Sequence, residues 1–234
     1  FRKEVHKQSY LANKYRYWRT APEIRISDAL FQQHKKLLEP LMDFVADRGR
    51  LPAAWELLET QQICDAFGSV KRAFAVVRRV TGKDQWNQLR LERFDELLTQ
   101  FSLSRFTGRP KFGKLPPDIQ LDVKDFFSSL KKAYNVADLL LYSAGDMEDI
   151  SEAFNNSKIG KKVSQTLYIH IDALHKLDPI LRIYEGCART YIGQVEGANI
   201  IRFHCDEPKI AYLGYPDFDK DPHPALKASV VVTL

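Results

Sequence analysis

Lys71, Arg72, Arg78 and Arg79 share one side of the run Val70–Val80 if that run is a helix. Val70, Ala73, Phe74, Val76, Val77 and Val80 share the other side at the helical period. One face can then pack while the other holds four cations outward. Cations fixed on a helix hold phosphates, and side chains beside them read base edges. The chemistry implied is contact with a nucleic-acid backbone rather than bond making. An ordinary amphipathic helix with a solvated basic face has the same pattern.

The flanks support a helix there. Gly68 breaks the preceding helix, Ser69 is a good N-cap and Gly82 ends the run. Upstream, Pro52 suits a helix start. Trp55, Leu57, Leu58, Ile63 and Phe67 supply packing partners. The stretch from Arg48 to Val80 therefore predicts two short helices and then a third, the layout of a helix-turn-helix. Arg50 joins the four cations of the third helix as a candidate contact to backbone or groove.

A second basic cluster lies in TGRPKFGKLPP, residues 107–117. Its composition is that of a loop. It presents Arg109, Lys111 and Lys114, with Arg105 just before it and no acid among them. It is a second candidate phosphate contact and the best inter-domain boundary. A basic connector without a partner is the alternative.

Other side chains suggest chemistry more weakly. Asp217, Asp219, Asp221 and His223 alternate in YPDFDKDPHP, as oxygen ligands of calcium or magnesium do. The glycine and the terminal acid of an EF-hand are absent, so a turn with capping aspartates is the better expectation. Glu207, Lys209 and Asp217 are the elements of a metal-dependent nuclease site, in the reverse of the usual chain order. Cys187 beside Arg189 could be an activated nucleophile. A buried cysteine next to a Glu185–Arg189 pair at i, i+4 is preferred. No GxGxxG or GxxxxGK[ST] is written here, so no dinucleotide, S-adenosylmethionine or ATP loop of the usual kind is expected.

These residues need elements to hold them. The 234 residues suit one large domain or two small ones, with a net charge of +5, 44% hydrophobic and 28% charged residues. Arg2, Lys3, Lys7, Lys14, Arg16 and Arg19 interleave with Tyr10, Tyr15, Tyr17 and Trp18 in a basic, aromatic linker over 1–21. A helical region over 22–108 follows, with Pro40 kinking or splitting its first helix. Residues 86–106 form an amphipathic helix with Leu89, Leu91, Phe94, Leu97, Leu98, Phe101 and Leu103 inward. An α+β region over 109–234 has a helix to about Asn135 and two short helices near 136–144 and 147–156. A polar turn at Ile159–Lys162 precedes strands at Leu167–Ile171, Ala198–His204, Lys209–Tyr215 and Val230–Leu234. The fold class is α+β, a mainly helical N-terminal half followed by helices and a small antiparallel sheet. No internal repeat is expected. Three cysteines without a pairing pattern suit a reducing, cytoplasmic setting. No apolar run is long enough to span a membrane.

LFQQHKKLLEPLMDFVADRGRLP, FGSVKRAF, RFTGRPKFGKLPPDIQLDVKDFF, RIYEGCAR, VEGANIIRFH and PKIAYLGYPDFDKDPHPAL together resemble the DNA phosphorothioation-associated methyltransferases of bacteria. The resemblance runs from about Tyr15 to Leu234. It implies a link to systems that replace a phosphate oxygen of DNA with sulfur in defence against phage. It also implies an N-terminal Rossmann-like domain, upstream of this chain, that binds S-adenosylmethionine. No cofactor is expected in this chain. GRLPAAWELLETQQICDAFGSVKRAF is also similar in rhythm to small DNA-binding repeats attached to homing endonucleases, where a G-[RK]-x-P start and an F-G-S turn frame two helices.

The expectation is a DNA-binding region of such a methyltransferase. DNA would be its partner, with proteins of the phosphorothioation system as further partners. A protein-interaction module that docks the methyltransferase or the modification machinery is the alternative. A metal-dependent nuclease is the third reading.

Overall fold

The structure, a computed structural model, describes residues 25–234, so the basic aromatic segment 1–21 lies outside the described residues. The described chain divides into two compact units, one ending at Arg90 and the other spanning 91–234. Its architecture is α+β with a helical N-terminal part, as composition and periodicity lead one to expect. Among the described residues no helix is long and apolar enough to cross a membrane.

The first unit holds α1 (Ile26–Gln33), α2 (Lys35–Arg48), α3 (Thr60–Phe67), α4 (Val70–Thr81) and the start of α5 (Asp84–Thr107). α4 packs against α1, α2 and α3. Leu38, Leu41, Ile63, Ala73 and Val77 are fully buried between them. Trp86 closes the core, its indole N–H donating to Thr81 Oγ1 at 2.8 Å and its ring meeting the edge of Phe74. Pro40 does not split its helix. The chain breaks at His34 instead, and α2 then carries Pro40 inside it. No helix starts at Pro52. Residues 50–59 run as a loop, from which Trp55 and Leu58 point outward with 65% and 97% exposure. Only Leu57, Ile63 and Phe67 of the expected packing partners reach the core.

The second unit begins inside α5 rather than at the loop 107–117. A helix that runs through residue 107 can serve two cores. Trp86 belongs to the first, while Leu97, Leu98 and Phe101 belong to the second. Leu91, expected inward, is 56% exposed. A 3-10 turn at Phe112–Lys114 leads into α6 (Pro117–Phe127), α7 (Leu130–Ser143) and α8 (Met147–Asn156). The helix expected to end near Asn135 ends at Phe127, and α7 continues unbroken to Ser143.

The sheet is an antiparallel meander in the order β1-β2-β3-β4-β5. Its strands are β1 (Lys161–Val163), β2 (Thr166–His170), β3 (Ile200–His204), β4 (Lys209–Gly214) and β5 (Ala228–Thr233). β1 was expected as a polar turn. It is a short charged edge, pairing Lys161 with Tyr168. Leu167, Ile169, Ile201, Phe203 and Ile210 face one way and join Ile180, Leu181, Ile183 and Tyr184 of α9 (Pro179–Ile192) in one core. The strand alternation puts Tyr168 opposite Arg202 on the other face.

The chain does contain an internal repeat. α3–α4 and α6–α7 superpose in sequence with a shift of sixty residues, from Ile63 and Val123 to Val80 and Leu140. Ile63 and Val123, Ala73 and Ala133, and Val77 and Ala137 are all fully buried. Gly68 and Ser128 both take a left-handed conformation, with φ of 81° and 64°. From there to residues 80 and 140 the burial of each position agrees, apart from Val76 and Val136. Leu38 and Leu98, and Leu41 and Phe101, repeat the same shift in the helices before.

Candidate nucleic-acid interface

α4 is positioned by its cap and by its core face. Ser69 Oγ accepts from the Arg72 backbone N–H at 3.2 Å, which satisfies one donor of the first turn. Ala73 and Val77 point into the core, and Val70, Phe74, Val76 and Val80 flank them. This burial fixes the helix about its axis and leaves Lys71, Arg72 and Arg79 exposed. Arg78 is half-buried and donates to Asn87 Oδ1 at 3.0 Å. Three of the four expected cations thus stand on the surface, and the fourth leans on the start of α5.

Arg50 is inside the unit rather than on its face. Its guanidinium donates to both oxygens of Glu56, at 2.6 and 2.7 Å, and to Leu51 O at 3.1 Å. It lies over the Phe44 ring, and its side chain is 3% exposed. Glu56 also accepts from the Ala53 backbone N–H at 2.8 Å. The Arg50 hydrogen bond holds the Glu56 carboxyl below the usual carboxylate range. The pair closes the loop between α2 and α3, and that is why no helix is needed there.

Arg109 does the same for the second unit. It donates to both oxygens of Asp138, at 2.8 and 2.7 Å, and stacks 4.5 Å from the Tyr134 ring centroid. Tyr134 in turn donates to Pro110 O at 2.8 Å. The Arg109 hydrogen bond lowers the Asp138 pKa. The loop 107–117 is therefore tied down by its own arginine. Lys111 and Lys114 remain exposed on either side of Phe112. Lys131 and Lys132 on α7 are exposed as well. Nothing in the sequence marks them out, because Ser128, not glycine, makes the turn before them.

The other candidate chemistries resolve as packing or exposed turns. Glu185 is 1% exposed, ion-paired with Arg189, and accepts from the Tyr212 hydroxyl at 3.1 Å. Burial, followed by the Glu185 charge, pushes the Cys187 thiol up, which is the reverse of nucleophile activation. Lys209 is ion-paired with Glu207, so its ammonium is engaged within the nuclease triad that sequence suggested. Asp217 is exposed in a turn that its carbonyl closes by accepting from Lys220 and Asp221. Asp221 Oδ1 accepts from the His223 N–H at 2.8 Å, as a capping aspartate does. Among the described residues no three His, Cys, Asp or Glu side chains gather as a metal site requires.

What the exposed cations can do is hold anions at fixed spacing. No family model matches the chain, and no curated protein or solved structure shows a significant similarity to it.

Proposed function

We propose that this chain binds duplex DNA through the outer face of α4, with Lys71, Arg72 and Arg79 on the phosphates. Lys111 and Lys114 add a contact from the second unit. The observation that carries the reading is the separation of these exposed cations from the buried Ala73 and Val77 of the same helix. The setting we propose is that of the family it resembles: a region downstream of an S-adenosylmethionine-dependent methyltransferase domain, acting on DNA in phosphorothioate-linked defence. The test is a salt series of binding to matched duplexes with and without phosphorothioate. Affinity should fall steeply with salt, because each neutralised phosphate releases counterions. Reversing Lys71, Arg72 and Arg79 to glutamate should abolish binding with the fold retained; unchanged affinity would sink the reading.

Trp55 and Leu58 favour a second reading, a docking module for the methyltransferase or its partners. Large apolar side chains are seldom left outward without cause when they lie close together in one loop. If this reading holds, Trp55→Ala with Leu58→Ala abolishes capture of the methyltransferase domain, while the charge-reversed α4 variant still captures it.

A further inference from the structure

Lys131 and Lys132 occupy on α7 the places that Lys71 and Arg72 occupy on α4. Each pair follows the same cap. Ser129 Oγ accepts from the Lys132 N–H at 3.3 Å, as Ser69 does from Arg72 at 3.2 Å. Beneath each pair the inner face is fully buried, through Ala133 and Ala137 on α7. A helix pinned in this way cannot turn its cations elsewhere. Packing does not call for a lysine at either place, since both side chains are exposed. Other outward positions differ between the copies: Arg79 corresponds to Leu139 and Ala75 to Asn135. Along α4 and α7 themselves, the basic pair is the exposed feature that the two helices share.

We propose that α7 is a second duplex-DNA contact, in which Lys131 and Lys132 hold backbone phosphates and Asn135 meets base edges. This rests on the reading of α4 as a DNA-contacting helix and extends it to the second copy of the unit. Asn135 is exposed one turn beyond the lysines. Its amide offers a donor and an acceptor together, the pair that adenine presents in complement in the major groove. Ala75, at the same place on α4, offers only a methyl group. Charge is thus common to both copies, and base reading belongs to the second. Asp138, the acid within α7, is spent on Arg109.

The experiment titrates the whole chain with labelled mixed-sequence duplex across a potassium chloride series. Lys131→Glu with Lys132→Glu should lower the slope of log affinity against log salt by about 1.8, at ~0.9 per phosphate contact. Lys131→Arg with Lys132→Arg should keep the slope, and both variants should melt like the wild type. Should the glutamate variant bind with the wild-type slope while Lys71→Glu with Arg72→Glu has lost it, the second contact is overturned and the first stands. Should the wild type show no salt-dependent binding, both fall together. Selection from a random duplex pool tests Asn135. The wild type should enrich an adenine-containing motif and Asn135→Ala should not; equal enrichment by both removes Asn135 from the base contact.

Discussion

Ser69 and Ser129 stand sixty residues apart and cap the second helices of two copies of one unit. Each hydroxyl accepts the backbone N–H three residues on, at 3.2 and 3.3 Å. Each follows a residue in the left-handed region, Gly68 in one copy and Ser128 in the other. The first cap costs the chain little because glycine has no Cβ to clash. The second forces a serine into a conformation that a side chain resists.

Ser69→Ala and Ser129→Ala should each lower stability by about 1 kcal/mol, as the loss of an N-cap does. Ser128→Gly should raise it by ~0.5–1 kcal/mol, relief of strain exceeding the added freedom of the unfolded chain. Gly68→Ala should do the opposite. Urea midpoints followed by circular dichroism decide these. A neutral Ser128→Gly would mean that the turn relaxes out of the left-handed region in solution.

Much of the fold could be read from the chain, and the failures have physical causes. Val70–Val80 and the strand at 167–171 declared themselves by period, since one face of each is buried, while the strand at 209–215, buried on both faces, showed as an apolar run after a turn. Ser128 hid the second turn because a left-handed serine carries no sequence signal. With it the repeat was hidden, and so were Lys131 and Lys132. Arg50 and Arg109 were read as surface cations because sequence shows charge but not the Glu56 and Asp138 that fold back on them. Trp55 and Leu58 look like core side chains because apolar side chains usually are, yet the loop that carries them leaves both exposed.

Those two arginine anchors should decide stability in acid. Glu56 and Asp138 have carboxyl pKa values lowered chiefly by their arginine partners. A group with a depressed folded pKa adds stability that is fully present above its unfolded pKa. That stability is lost as pH falls through the folded value. The melting temperature should therefore hold through neutral pH and drop below the ordinary carboxylate range. Glu56→Gln should flatten part of that acid limb. A limb of unchanged steepness would show that the pair does not contribute.

Removal of Arg50 should be severe. It leaves Glu56, whose side chain is 5% exposed, charged without its arginine partner. Breaking such a pair from one side costs about 3–5 kcal/mol. Arg50→Lys should recover only part, because an ammonium cannot match two carboxylate oxygens at once. Thermal melts of the three proteins should rank wild type, lysine, alanine. DNA affinity of the folded lysine variant should equal that of the wild type, since Arg50 faces no solvent.

Arg109 and its neighbouring lysines should separate in the same way. Arg109→Ala should lower the melting temperature by breaking the Asp138 contact and the stack on Tyr134. Lys111→Glu with Lys114→Glu should leave the melt unchanged, both side chains being exposed. The same double variant should reduce DNA affinity and its salt dependence. An affinity loss in Arg109→Ala at temperatures where it is fully folded, with none in the lysine variant, would reverse these assignments.

Glu185 should prove structural and Cys187 unreactive. Glu185 is buried between Arg189 and the Tyr212 hydroxyl, and Glu185→Ala would leave the buried hydroxyl only its long contact to the Glu185 carbonyl at 3.5 Å. An orphaned buried donor costs about 1–3 kcal/mol. Cys187 has its thiol pushed up by burial first and by Glu185 second. Its alkylation by iodoacetamide should be slow at neutral pH, speed up only well into the alkaline range, and accelerate once Glu185→Ala loosens the helix. Cys187→Ser should leave DNA binding unchanged. Fast stoichiometric labelling of Cys187 in the folded wild type at neutral pH would instead point to an activated thiolate, and to covalent chemistry in the second unit.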